Sequence, residues 1–208
     1  MIDRRALLRM LGAGAILTPV LAPSTVRAET DPAVKAVQEL CDTLLAVMKD
    51  AAQLGFDGRY AKLDPVIRRV YNLPLMGRLA IGSGWEELSA EQRQAFLDAF
   101  SKYSVATYAA RFDGYSGERF EVDPQPSPAA GGVIVNSKLV KSDGEPVVLN
   151  YLMRGADATW QIIDVYLTGT ISQLATQRSE FTAVLRRDGA QALVDLLNRR
   201  VEDMRKPP

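Results

Sequence analysis

Histidine is missing from this 208-residue chain, and cysteine occurs once. Without His, a Ser-His-Asp triad, a Cys-His pair and the common His-containing zinc sites are excluded. Cys41 can form no internal disulfide, and the preceding Gln38-Glu39-Leu40 is not a lipoprotein processing box. It falls on the stripe Val34, Val37, Cys41, Leu44, Met48, where a thiol packs more often than it reacts. An excess of basic charge is also lacking: 25 Lys and Arg face 25 Asp and Glu. Nucleic acid is therefore not an expected partner.

A long uninterrupted apolar run is absent too. Residues 71–85, YNLPLMGRLAIGSGW, come nearest, but Pro74, Arg78 and three glycines interrupt them. A membrane-spanning helix needs about 20 predominantly apolar residues. This stretch must bury its side chains against protein or ligand, with Leu75, Met76 and Leu79 expected as a wall or lip.

The first 28 residues read as an export signal. Arg4, Arg5 and Arg9 form a basic region, Met10 to Ala22 an apolar one, and Val26-Arg27-Ala28 a small-x-small cleavage pattern. Asp3-Arg4-Arg5-Ala6-Leu7-Leu8-Arg9 approaches a twin-arginine signal, so either that route or the general secretory one is open. The expected mature chain, 29–208, suits a single domain in the periplasm. Removing four Arg and one Asp with the signal leaves 21 basic against 24 acidic residues.

The mature chain begins with helical spacing. Asp31 precedes Pro32 at the start of a helix expected to run to about Leu54 and close at Gly55. Short helices are expected over 58–63 and 65–71, and another from Asn72 to Gly82. Ser89-Ala90-Glu91-Gln92 is a capping box for a helix to about Arg111, whose inward face carries Phe96, Phe100, Tyr103 and Tyr108.

After Gly114 the period becomes two, as in antiparallel strands with one covered face. Strands are expected over 118–123, 132–142, 146–154 and 159–168, with turns at Asp143-Gly144 and 155–158. Helices follow over 171–187 and 190–203, broken at Asp188-Gly189. Helices, a meander of about four strands, then helices make the α+β class. By parity, Val133, Val135 and Leu139, then Val147, Leu149, Tyr151 and Met153, then Ile163, Val165 and Leu167 share one apolar face. Ile134, Val148, Leu152, Trp160 and Ile162 fall on the other.

Val70 to Met76 (VYNLPLM), Leu88 to Arg93 (LSAEQR), Ala99-Phe100 and Trp160 to Val165 (WQIIDV) together resemble the MlaC-type periplasmic lipid-binding proteins, also called toluene-tolerance or ABC-transporter auxiliary proteins. The form Asn72 to Met76 is similar to that of the hopanoid-associated branch known as HpnM. The resemblance implies an NTF2-like or cystatin-like fold, with an antiparallel sheet and helices around a deep apolar pocket. It implies a cargo of phospholipid or hopanoid tails rather than a cofactor, carried between inner-membrane transporter and outer-membrane complexes with transient contact at each. Thr168-Gly169-Thr170-Ile171-Ser172 replaces the family's usual Glu-Gly-Val-Ser, and Leu152 its usual Arg.

Such a pocket needs no catalysis, because burying hydrocarbon yields about 0.8 kcal/mol per CH₂. Tyr151, Tyr108 or Arg78 would position a headgroup at its mouth. Its expected size is at or above the upper end of the roughly 300–1,000 Å³ usual for ligand sites. Two other functions fit the class. Asp164 with Tyr166 could imitate the carboxylate and tyrosine of an NTF2-like isomerase, though their parity opposes that of Val165 and Leu167; alternatively the chain is an envelope adaptor with a solid core. Asp164 and Trp85 are expected to serve structure.

Overall fold

Asp31 opens the first helix as expected in the computed structural model, which describes residues 30–142, 144–155 and 159–206. The export signal read at 1–28 lies outside the described residues, as do Glu29, Asp143 and residues 156–158 of the expected turns. The Asp31 side chain accepts from the Ala33 amide at 2.8 Å, with Pro32 in the first turn, and α1 spans Pro32–Lys49. It buries Val34, Val37, Leu40, Cys41, Leu44 and Met48, the stripe seen in the sequence.

The next helix departs from expectation. The break after α1 comes at Asp50, and α2 spans Ala51–Val70 with a kink at Gly55 (φ 58°, ψ −174°), a conformation open to glycine and little else. Arg59 braces the kink by donating to the carbonyls of Ala51 and Ala109 at 3.2 and 2.7 Å. Pro65 does not divide the helix. The Ala61 carbonyl that its missing N–H would have met is on an exposed residue, open to water, while Leu63, Ile67 and Val70 stay buried in register.

α3 spans Leu73–Ile81, capped by Asn72 and ended at Gly82; a 3-10 turn over Gly82–Trp85 follows. Both arms of the Ser89/Gln92 capping box form, and α4 spans Ala90–Arg111. Trp85 is half-buried beneath the Arg93 guanidinium, whose carbon is 5.3 Å from the ring centre. No helix among the described residues is long and apolar enough to cross a membrane.

The sheet contains β1 (Arg119–Val122), β2 (Ser127–Ala129), β3 (Gly132–Val140), β4 (Val147–Arg154), β5 (Gln161–Leu167) and β6 (Ile171–Ser172), all antiparallel. Four are the strands that the alternation predicts. The other two, β2 and β6, are short, and β6 takes the first two residues of the helix expected from 171. β1 and β2 pair successive stretches of β3, so they form one edge broken by the Pro-rich segment between them. Helices cover one face. On the other, Ile134, Val148 and Leu152 are only half-buried and Lys138 is exposed.

Strand parity survives along β3 and most of β4, then fails at one place. Tyr151 faces Val165, but a bulge beside Leu152 and Met153 shifts the register so that Met153 faces Ile162. Ile162 therefore joins the core side, correcting the face assigned to it by simple alternation.

α5 spans Gln173–Arg205 and kinks at Gly189 (φ 83°, ψ 175°), where the sequence places a break. The two arms are tied together by an ion pair of Arg200 with Glu180, and the C-terminal arm is tied to α2 by Arg205 with Asp57 at 2.9 Å. Phe181 on the first arm is fully buried and meets Phe100 and Tyr103 edge-on, with ring centres 6.4 and 6.2 Å apart. Sheet and helices together give the α+β architecture, compatible with the NTF2-like or cystatin-like description.

Candidate functional site

A cavity of about 650 Å³ opens between the sheet and helices α2, α3, α4 and α5. This is inside the usual range for ligand sites rather than at its upper end. Three tyrosine rings occupy space that valine and leucine would leave free. Tyr71 and Tyr108 share a hydrogen bond between their hydroxyls, and Tyr151 lies close enough to influence both.

The deep wall is built from buried side chains of successive elements. β4 supplies Leu149 and Tyr151, β5 Val165, α3 Leu73 and Met76, α1 Met48 and α2 Ile67. Nearer the opening stand Val147, Leu167, Leu139, Phe112 and Tyr103. The rim is polar: Arg111 ends α4, Asp113, Tyr115 and Ser116 lie on the connection from α4 to β1, Lys141 follows β3, and Gln173, Thr176, Gln177 and Glu180 occupy one side of α5.

Of the residues that the sequence nominates, Met76, Tyr103, Tyr108, Val147, Leu149, Tyr151, Val165 and Leu167 are brought together on this cavity. Seven stand elsewhere. Leu75 and Leu79 are half-buried, one turn apart on α3 and off the side that carries Leu73 and Met76. Phe100 is fully buried against Phe96 and Phe181. Val135 and Met153 are fully buried core residues towards the other end of the sheet, where Val133 pairs with Met153. Ile163 lies in the bulge. Arg78, considered for the mouth, pairs on the surface with Glu86 at 3.0 Å. Tyr151 is deep rather than at the mouth, and Tyr108 is half-buried with its hydroxyl turned inward to that of Tyr71.

Burial governs the ionisable groups here. It pushes the Tyr108 phenol up to about 12 and holds Tyr71 and Tyr151 well above 10.0. Burial, with the nearby Asp42 carboxylate, raises the Cys41 thiol to about 12. All four are neutral at physiological pH, so the deep wall carries hydroxyls and a thiol but no charge. The stability consequence follows from proton binding. Below 9.0 both folded and unfolded chains keep the Cys41 proton, whereas between 9.0 and about 12 only the folded chain does. Stability is therefore expected to fall as pH rises through that window, with the tyrosines adding from 10.0 upward. Urea midpoints measured across pH check this, and Cys41→Ala should decline less steeply between 9.0 and 10.0.

Asp164 serves another purpose. Its carboxylate accepts from the Val165 amide at 2.7 Å, from the Leu174 amide at 3.0 Å and from the Ser172 hydroxyl. Leu174 is in the first turn of α5, where amides have no partner within the helix, so Asp164 fastens that helix to β5. Neither Asp164 nor Tyr166 lines the cavity. Among the described residues, no group of three or more His, Cys, Asp or Glu could hold a metal ion.

Residues 38–199 match the family model described as MlaC protein. Over 188 residues the chain is 24% identical to the intermembrane phospholipid transport system binding protein MlaC of Haemophilus influenzae, with 86% of each chain covered. In fold it is similar to the phospholipid-binding protein from Ralstonia solanacearum, solved in complex with a phospholipid. That match has a TM-score of 0.71 and 24% identity, and covers 84% of this chain and 99% of the other.

Proposed function

Because the family model spans most of it, the chain belongs to the MlaC family, and from that premise we propose that it is a lipid carrier, holding phospholipid tails in the cavity and exposing the headgroup at the polar rim. The observation that carries the reading is the cavity itself: about 650 Å³, with hydrocarbon from β4, β5, α1, α2 and α3 deep inside and charge only towards its opening. At about 0.8 kcal/mol per buried CH₂, the inner part of an acyl chain supplies ample binding free energy. Arg111 and Lys141 at the rim form no ion pair or hydrogen bond with a described residue and can face a phosphate.

The names of the Haemophilus relative and the Ralstonia structure, which speak of phospholipid, support this cargo class. The same kinship supports a periplasmic protein that exchanges cargo with membrane complexes, inner and outer, through transient contacts. A carrier role also fits the geometry of Asp164, whose three hydrogen bonds occupy the carboxylate an isomerase would need.

The test is extraction of the purified protein with organic solvent and mass spectrometry of the extract. About one phosphorus-containing diacyl lipid per chain is the expected result. A polycyclic lipid would reassign the cargo to the hopanoid class, and a lipid-free protein with solvent in the cavity would remove the carrier reading.

A further inference from the structure

Among the described residues, two large apolar side chains are strongly exposed: Tyr115 at 44% and Ile171 at 53%. Single exposed apolar residues are ordinary, but these two share one place. The strand registers gather the start of β1, the end of β3, the start of β4, the end of β5 and β6 at one end of the sheet, the end at which the cavity opens. Ile171 pairs with the cavity residue Leu167, so both project from one face, and Ile171 extends that face to the β6 edge. Tyr115 lines the opening from the other side, four residues before β1 at the opposite edge. Four strand spacings of about 4.8 Å set these edges about 19 Å apart, so the pair straddles the opening.

Cations stand around the same opening. Lys49 ends α1 and lies over the Tyr115 ring, 5.5 Å from its centre; Arg111 ends α4, and Lys141 follows β3. All three are exposed and none is ion-paired with a described residue, whereas Lys62, Arg68, Arg78 and Arg205 elsewhere on the surface each meet a carboxylate. Of the carboxylates at the opening, Glu180 is taken by Arg200, which leaves Asp113 and Glu118 against the three cations. A small positive excess remains. From the opening an aromatic lane runs inward through Phe120, Phe112, Tyr108 and Tyr71, with successive ring centres 6.3, 5.8 and 5.8 Å apart.

An exposed phenol, an exposed aliphatic chain and unpaired cations side by side suit the boundary of a bilayer, where apolar groups enter the headgroup layer and charges meet lipid phosphates. Resting on the lipid-carrier reading, we infer that the mouth docks directly on the surface of an anionic phospholipid bilayer, with Tyr115 and Ile171 entering the headgroup layer and Lys49, Arg111 and Lys141 facing its phosphates. The tails of the cargo then pass between bilayer and cavity along the aromatic lane without crossing open water. Two apolar anchors and three cations make a weak, salt-sensitive contact, from which a carrier can leave again.

The test is flotation with vesicles of phosphatidylcholine alone, or of phosphatidylcholine and phosphatidylglycerol in equal amounts. The chain is recovered after export, so that the segment read as a signal is not what holds the vesicle. The wild type should float with the anionic vesicles, far less with the neutral ones, and lose association as salt is raised. Tyr115→Ser with Ile171→Ser should weaken association roughly tenfold, and Lys49→Gln, Arg111→Gln and Lys141→Gln about fivefold each. Lys138→Gln, on the uncovered face of the sheet, should float like the wild type. All these positions are exposed, so the fold is expected to persist, and lipid extracted from each preparation is counted alongside. Failure to float, equal association with both vesicles, or undiminished association of the Tyr115 and Ile171 double variant overturns the docking surface. Association confined to native membranes that keep their proteins overturns it in favour of a protein dock. With lipid in the extract, each of these results leaves the carrier reading standing. A wild type without extractable lipid removes that reading, and this inference with it.

Discussion

Leu149→Trp is expected to leave the protein folded and almost free of lipid. Leu149 lies in the first half of β4, opposite Leu167 on β5 and flanked on the same side by Val147 and Tyr151, all facing the cavity. In a filled core an added ring forces its neighbours aside at about 1–3 kcal/mol. Here about 650 Å³ lies open beside the residue, so the indole can enter it and the stability loss should stay below about 1 kcal/mol. The same space is then denied to an acyl chain. Val135→Trp provides the contrast, because Val135 is fully buried and off the cavity; it should incur the whole overpacking cost. Urea midpoint and lipid stoichiometry on one preparation of each variant separate the two effects. A strongly destabilised Leu149→Trp with full lipid occupancy would count against the sheet-lined site.

Asp164→Ala is expected to destabilise the fold by about 3–5 kcal/mol, because three donors lose a charged acceptor in a buried place. The Val165 amide loses this acceptor within β5, and the Leu174 amide at the start of α5 loses its partner together with the negative charge that the helix end favours. Asp164→Asn should recover part of the loss, since one oxygen can still accept while the amide nitrogen meets donors instead of acceptors. Unfolding in urea measures both. A carboxylate held in place for catalysis would show the opposite trend, with its removal neutral or stabilising. An unchanged midpoint would therefore reopen the isomerase reading.

Strand parity made much of the cavity wall legible. Val147, Leu149 and Tyr151, with Val165 and Leu167, alternate cleanly, and one face of a regular strand has only one way to point. The same rule failed at Ile163 because a bulge adds a residue without announcing itself in composition. Helix α3 was harder. Leu73, Leu75, Met76, Leu79 and Ile81 are all apolar, so hydropathy gives little contrast between its sides, and contact with two other helices as well as the cavity decides which are covered. Phe100 was assigned to the lipid for a related reason: an aromatic on an inward helix face serves solid core and cavity wall alike.

The polar side of the cavity was missed because Gln, Thr and Glu on a long helix usually face water. A signal was nevertheless present, since Gln173 and Gln177 stand eight and four residues before Phe181, on one row of the helix, and Phe181 is fully buried. Polar residues in line with an inward phenylalanine point towards an interior that is not entirely oily. Pro65 misled for the opposite reason, being a local breaker overruled by the packing of Leu63, Ile67 and Val70.

The position of α5 governs the order in which this molecule can be completed. One wall of the cavity is contributed by 173–180, and the second arm of α5 reaches back to α2, with Arg205 meeting Asp57 across 148 positions of sequence. A ribosome delivers α1 to α4 and the strands first, and none of them can be covered on that side until α5 has emerged. Until then Phe96, Phe100 and the cavity-facing residues of β4 are a greasy surface without its cover, the condition in which partly made chains stick to one another. Closure through such distant contacts is also slow, because a long loop must be ordered before any of them forms. A chain released before α5 would thus be a substrate for chaperones and proteases rather than a weaker carrier, and the final helix decides whether the product is a vessel or debris.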